Sequence, residues 1–482
     1  MSTIFMDGVC NNKKIFSAAH TQVLKGLAVI MLLMHHGFSV LTADTPWGSL
    51  VLTNTISLTK LCVAIFTVLS GYGMYFSFRS KAKNASCREA AIFAVSHLVK
   101  LFLIFWISAA VQITAVSLIK GNFFDIYSEH PVYYLLLDCM GVSYITGTPK
   151  FVNAWWYMTA ITIYYLLFPV LFLMVHRLKK LNYLLLGTSA VGLLFLHVQN
   201  SIFVYGIFFL FGMIFAERDL FNRILNAKLQ IKECWKLIVW LMIFLFLCIL
   251  RQQFLYGTGT DYHLDWLLTF VLVIVVCEVS LTFSTVCISN SMPVPTMIGT
   301  VVGKLFGWLG VCSFEIYLTH SVFLKYFGKI VCVPSVWYLI FIKLLVASAI
   351  AAWLLKWIEK LLQVKRAGAI CKTTTGFKIS IVFLAAGLFV LPAPKLIADQ
   401  GIGGWAFGKQ EVVMQANNYH VMIYDKLPLF WNLAEKNYTS DDNDIVYFID
   451  GIVYAHKTGT TTVHVSLPSG KMLSCAIIVQ EE

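Results

Sequence analysis

Charged side chains are scarce in this sequence. Asp, Glu, Lys and Arg make up 12% of its 482 residues, about half the share usual in a soluble domain. Hydrophobic residues reach 59% and mean hydropathy is +0.77. A soluble globular chain is thereby excluded, and an integral membrane protein is expected. Twelve cysteines are present, but they are scattered through apolar segments and no two stand as Cys-x-x-Cys. Neither a zinc site nor a disulfide framework is signalled, and no metal is expected. No internal repeat is visible, which counts against a transporter assembled from paired halves. The polar segment before the first apolar run has no small-residue cleavage pattern, so that run is expected to be retained.

Apolar runs of bilayer-crossing length fall at about 22–41, 56–78, 91–118, 153–175, 182–198, 200–216, 235–251, 264–286, 299–324, 334–357 and 379–396. The expected architecture is an all-α polytopic bundle of about eleven spans. The apolar stretch Pro131–Tyr144 is short and flanked by acids, so it reads as interfacial or re-entrant. One set of loops carries Arg79, Lys81, Lys83 and Arg88, then Arg177, Lys179 and Lys180. Further along come Arg218, Arg223, Lys228, Lys232 and Lys236, and finally Lys360, Lys365, Arg366, Lys372 and Lys378. The alternate loops hold Asp44, Asp125, Glu129, Asp138 and Asp261 with few cations. Lys and Arg gather on the cytoplasmic side, so the N-terminus is expected inside and, with an odd number of spans, the tail outside. From residue 397 onward ten acidic residues face five basic ones, leaving −5 there and +17 elsewhere out of a net +12. That excess is a topology signal and does not require nucleic acid.

Past Asp399 the pattern changes to short apolar runs separated by turn signals, Asp450-Gly451, Thr458-Gly459 and Pro468-Ser469-Gly470. The runs starting at Thr461 and Ser474 read as strands of a small antiparallel β domain. This tail holds no Gly-Asp-Ser or Gly-x-Ser-x-Gly nucleophile motif, so a second catalytic domain is not expected. The expected organisation is a cytoplasmic N-terminus over 1–21, a membrane domain over 22–362, a basic linker and final span over 363–398, and an extracytoplasmic β domain over 399–482.

Within the first span, Lys25 and His36 interrupt the apolar character. Eleven residues at 100° each make three turns and about 20°, so both share one helix face, about 16 Å apart along the axis. His35 lies roughly 80° off that face. Ionisable groups at depth are expensive and point to function, although an intramembrane histidine can also serve as a hydrogen bond to a neighbouring helix.

Four stretches, in order, are similar to motifs of the acyltransferase-3 family of membrane O-acyltransferases. They are Leu24 to His36 with a basic-x10-His pattern, Phe66-Thr-Val-Leu-Ser70-Gly71-Tyr72, Trp156-Tyr157 running to Leu167-Phe168-Pro169, and Ser313-Phe-Glu315-Ile-Tyr317-Leu-Thr-His320. Phe209-Leu-Phe-Gly-Met and Trp357-Ile-Glu-Lys360 stand where that family has similar words. Three departures accompany the match. Ile161 and Thr162 occupy positions where the family often has glutamates, His97 and Lys100 stand for a basic-x-x-basic pair, and Lys25 replaces arginine, losing a bidentate fork. The tail from Asp444 to Val463 resembles the second half of a bacterial group 2 Ig-like domain.

The resemblance implies transfer of an acyl group, most simply acetyl, from a cytoplasmic acyl-CoA donor to a hydroxyl of a cell-envelope glycan or lipid-linked saccharide. Acetyl-CoA is then a substrate, and no bound cofactor is implied. Such a transfer needs a base for the hydroxyl proton, and histidine titrates near working pH. His36 is the expected base, with His320 divided between direct catalysis and an acceptor-binding or structural bond. Lys25, Arg79 and Lys100 are the cations expected on the donor's phosphates. Ser70, Gly71, Tyr72, Trp156, Ser313, Glu315 and Tyr317 are expected as acceptor-side or structural lining, with Glu315 equally a catalytic acid or a buried partner for a cation. A flippase, or an adhesin anchored by its spans, are the alternatives.

Overall fold

The computed structural model describes residues 9–10, 13–14, 16–39, 57–82, 84–121, 126–127, 130–195, 200–227, 233–255, 261–289, 293–333, 336–449 and 451–481. Asp44, Lys83, Asp125, Glu129, Lys228, Lys232 and Asp450, which carry charge or turn signals in the sequence, lie outside these residues. Two compact units are present, Met1–Val132 with Pro149–Ser380, and Tyr133–Thr148 with Ile381–Glu482.

The first unit is helical: α1 (Ala18–Phe38), α2 (Leu61–Arg79) and α3 (Cys87–Lys120) are followed, after α4 (Pro131–Cys139) of the second unit, by α5 (Trp156–Leu178) and α6 (Asn182–Phe195). Then come α7 (Ser201–Glu217), α8 (Glu233–Leu250), α9 (Asp265–Ser289), α10 (Pro293–Val311), α11 (Ser313–Val331) and α12 (Trp337–Leu361), before α13 (Thr374–Ala385). α1 starts where Ser17 accepts from the His20 backbone N–H while the His20 ring accepts from the Ser17 N–H. That reciprocal arrangement satisfies two otherwise orphaned donors. Along α8, Ile238, Val239, Met242, Leu245, Phe246 and Ile249 are exposed. Such a face is stable only against lipid, and the protein is a multi-pass membrane protein.

The span count is lower than eleven. Among the described residues, seven helices are long and apolar enough to cross a bilayer, and an eighth if the bent pair Val301–Val311 and Ser313–Val331 counts as one. Among the described residues the expected runs at 182–198 and 200–216 supply helices of 14 and 17 residues; the first continues the candidate span Asn153–Leu193, and the second is a shorter apolar helix. The run at 299–324 is broken by a 76° bend at Cys312. Hydropathy registers apolar content, whereas crossing also requires unbroken helix length.

Glycines set how closely the spans approach. A Cβ at Gly71 would collide with the Phe209 carbonyl and one at Gly212 with the Val68 carbonyl, so α2 and α7 meet backbone to backbone. Gly26 against the Phe306 carbonyl and Gly310 against the Gln22 carbonyl do the same for α1 and α10. Small residues at such crossings are how membrane helices pack tightly. Gly71→Ala is expected to cost about 1–3 kcal/mol through overpacking, read as a lower unfolding midpoint of the purified protein in detergent.

In the second unit the tail forms β1 (Ala406–Phe407), β2 (Glu411–Gln415), β3 (Tyr419–Val421), β4 (Tyr424–Lys426), β5 (Asn437–Ser440), β6 (Val446–Ile449), β7 (Ile452–Ala455), β8 (Gly459–Ser466) and β9 (Met472–Gln480). The sheets run β2-β9-β8-β5, β3-β7-β6 and β1-β4. β9 pairs antiparallel with β8 and parallel with β2. Alternate residues of the two larger sheets, Val412, Val463 and Ile477 with Val446 and Val453, close one core. At two of the three expected turns the glycine adopts a left-handed φ, Gly451 at +78° and Gly470 at +81°, a region only glycine enters without cost, whereas Gly459 of the third, at φ +151°, begins a strand. This arrangement is compatible with a small Ig-like domain. On β8, His464 contacts the Ser474 hydroxyl through Nδ1 and the exposed Asp441 through Nε2, the reverse of a hydrolase triad. In the same unit, buried Lys395 pairs with Asp399 at 2.6 Å, and Tyr133 donates to the Leu391 carbonyl.

Candidate active site

A cavity of about 190 Å³ lies inside the helical unit, and α1 lends it both Lys25 and His36. The predicted phase of that helix therefore brings the cation and the histidine to one space. No carboxylate pairs with Lys25 among the described residues. The His36 ring packs against two other imidazoles, His35 at 5.0 Å and His320 at 4.9 Å between centroids. Gly26, next to Lys25, lies in the α10 contact.

α2 contributes Val63, Phe66 and Ser70, and α5 contributes Trp156 and the ridge Tyr157, Ile161 and Tyr165 at spacings of four. Residues four apart stack on one helix face, so this ridge runs along the wall. Ser70 stands beside the hydroxyls of Tyr157 and Tyr165. Thr67 donates to the Val63 carbonyl at 2.7 Å, so its oxygen receives the Tyr157 proton across 3.1 Å. Ile161 makes that part of the wall apolar where the family often has a glutamate.

α11 brings Ser313, Phe314 and Tyr317 to the cavity. Its position is fixed by bonds to the segment preceding α5. The Tyr317 hydroxyl donates to the Ala154 carbonyl at 2.6 Å, and the Trp155 indole to the Leu318 carbonyl at 3.2 Å. Lys325 and Tyr326 both donate to the Phe151 carbonyl. His320, fully buried, does not line the cavity but sits behind His36.

The remaining predicted residues lie elsewhere. Arg79 is exposed at the end of α2, and Lys100 packs its side chain on Gly368. Gly71 serves the α2–α7 contact. Tyr72 is buried against Phe16 and Phe221. Glu315, 1% exposed, accepts from Lys356 of α12 at 2.6 Å, and Glu359 accepts from the same ammonium at 3.4 Å. Glu315 is thus placed as the buried partner of a cation, and it does not line the cavity as a catalytic acid would.

Several residues of the site carry no motif. Tyr157 and Tyr165 line the cavity, and their spacing along an otherwise apolar span was the available signal. Arg251, Asp265 and Ser57 form a second buried polar group. The Arg251 Nε lies 2.7 Å from Asp265 Oδ1, its Nη1 donates to Ser57 Oγ at 2.9 Å, and both ionic side chains are 0% exposed. Among the described residues, no group of three His, Cys, Asp or Glu could hold a metal ion.

A basic residue, a histidine and a row of hydroxyls thus line one apolar-walled cavity among helices long and apolar enough to cross a membrane. The chain belongs to the acyltransferase-3 family, whose model, an acyltransferase domain, matches residues 22–357. It is an acyltransferase for groups other than amino-acyl groups. The chain has no match among curated proteins or solved structures.

Proposed function

We propose that this enzyme moves an acyl group, most simply acetyl, from acyl-CoA to a hydroxyl of a cell-envelope carbohydrate or its lipid-linked precursor in a bacterial plasma membrane. The observation behind this reading is that Lys25 and His36, at the two ends of one helix face, line the same cavity. Acyl-CoA is polyanionic at one end and carries its thioester at the other. Lys25 is suited to the phosphates, and His36, about 16 Å along the helix, to the reacting end.

His36 removes the acceptor's hydroxyl proton as that oxygen attacks the thioester carbonyl. The C–O bond forms, the C–S bond breaks, and the proton passes from His36 to the departing thiolate, which leaves as the thiol. Ser70 and Tyr165 offer hydroxyls to the developing oxyanion, and Trp156 offers a ring face to a sugar.

Orientation follows from loop cations. The Lys25 end of α1 is cytoplasmic, and the basic linker from Lys360 to Lys378 is inside, so one further span carries the β domain outside. Donor and acceptor then approach the cavity from opposite faces. The β domain acts as a spacer or adhesive module.

Inside-out vesicles given radiolabelled acetyl-CoA and the envelope lipid fraction test this reading. Label in a glycan, dependent on the protein, is the expected result. Glycan crossing the membrane without label would instead indicate a flippase, and neither outcome would leave a binding protein.

A further inference from the structure

We infer that His320 is a positioning residue for His36, its Nε2 being the acceptor that holds the His36 ring with its basic nitrogen toward the hydroxyl to be acylated. The inference rests on the acyl-transfer reading above.

The ring's own contacts assign its proton. Nδ1 of His320 lies 2.8 Å from the Tyr317 carbonyl and 3.2 Å from the Ile316 carbonyl. Carbonyl oxygens only accept, so Nδ1 carries the hydrogen, and in a neutral imidazole the lone pair is on Nε2. A charged ring here would be an ion without a carboxylate inside a membrane span, an expensive state. The side chain is fully buried, and Nε2 has no hydrogen-bond partner among the described residues. Buried acceptors are rarely left bare, and an exception calls for an explanation.

The group nearest to explaining it is His36, whose ring is 4.9 Å away and tilted by 43°. A turn of the His36 ring about its Cβ–Cγ bond brings a ring N–H toward the bare nitrogen. A histidine acting as base presents one nitrogen to the hydroxyl and carries its proton on the other. That second nitrogen needs an acceptor to fix tautomer and direction, as the carboxylate does in a hydrolase triad. Here a neutral imidazole, itself locked by a helix carbonyl, does this without burying an anion. Two further groups bear on the arrangement. His35, with its ring centroid 5.0 Å from that of His36, is also an electrostatic neighbour of His320, and Glu315 on the same helix is already engaged by Lys356.

Two substitutions separate positioning from a merely structural bond. His320→Asn keeps a donor near the Nδ1 position for the Tyr317 carbonyl but has nothing at Nε2. His320→Gln places an amide oxygen near Nε2 and gives up the carbonyl bond. Expected for His320→Asn is a fall in kcat of about 100-fold, the lower end for proton-transfer catalysis, with donor and acceptor KM unchanged. His320→Gln is expected to recover most of that loss. Equal activity of the two variants, or wild-type activity in His320→Asn, would overturn the inference.

A measurement on the unsubstituted protein does not depend on either variant folding. Nitrogen-15 spectra of histidine-labelled enzyme in bilayers should give an unprotonated Nε2 at His320, and a protonated Nε2 would refute the assignment. If the wild type transfers no acyl group, the acyl-transfer reading itself fails, and if His36→Ala still transfers them, His36 is not the base. If His36→Ala is dead and His320→Asn is unaffected, only the positioning role fails.

Discussion

His36→Ala is expected to lower acyl transfer by about 100- to 10,000-fold, the range carried by a positioned general base. The protein should still insert into the membrane and purify as the wild type does. The ring projects into a cavity rather than filling a packed core, so truncation removes chemistry more than packing. His35→Ala is the matched control. It lies one residue away, roughly 80° off the Lys25 face, is absent from the cavity wall, and should retain most activity. Initial rates with labelled acetyl-CoA at saturating acceptor check both. A fully active His36→Ala with normal stability would remove His36 from the mechanism.

Asp265→Ala is expected to cost stability rather than chemistry. Arg251 and Asp265 are both completely buried, paired at 2.7 Å, with Ser57 accepting from a second guanidinium nitrogen. Removing one member of a buried pair strands the other charge, typically costing about 3–5 kcal/mol. In a detergent-solubilised preparation this appears as a large drop in unfolding midpoint or as loss of folded protein. The double variant Arg251→Met with Asp265→Leu removes both charges and should recover most of the loss, since well-packed apolar replacements are often neutral. Near-additive destabilisation in the double variant would show that the two residues do not act as a pair.

Much of the site was legible because it depends on one helix at a time. The Lys25–His36 relation follows from helix pitch alone, and both residues reach the same cavity. Ser313 and Tyr317 were found through a motif on one helix, and they line it too. What sequence could not supply depends on two elements meeting. Lys100 has the right charge and lies near the expected end of a span, yet it packs on Gly368 from a segment far along the chain. Tyr72 belongs to the same motif as Ser70 but faces Phe16 and Phe221. Arg251 and Asp265 are 14 residues apart, and only the folded chain brings them together. The span count came out lower for a related reason: among the described residues the runs at 182–198 and 200–216 supply helices of 14 and 17 residues that do not add candidate spans of their own. The β domain was more legible, since alternation and turn glycines act locally: Gly451 and Gly470 adopt positive φ where turns were expected.

The central claim is that one helix face divides donor binding from proton transfer between Lys25 and His36. Equilibrium binding of acetyl-CoA to purified wild type, Lys25→Gln and His36→Ala tests it most directly. Without the ammonium of Lys25 on the donor's phosphates, binding should weaken about tenfold or more, corresponding to about 1.5–3 kcal/mol for a charge-assisted hydrogen bond. His36→Ala should bind the donor as the wild type does while failing to transfer its acyl group. Wild-type affinity in Lys25→Gln, or sustained turnover by His36→Ala, would contradict the account.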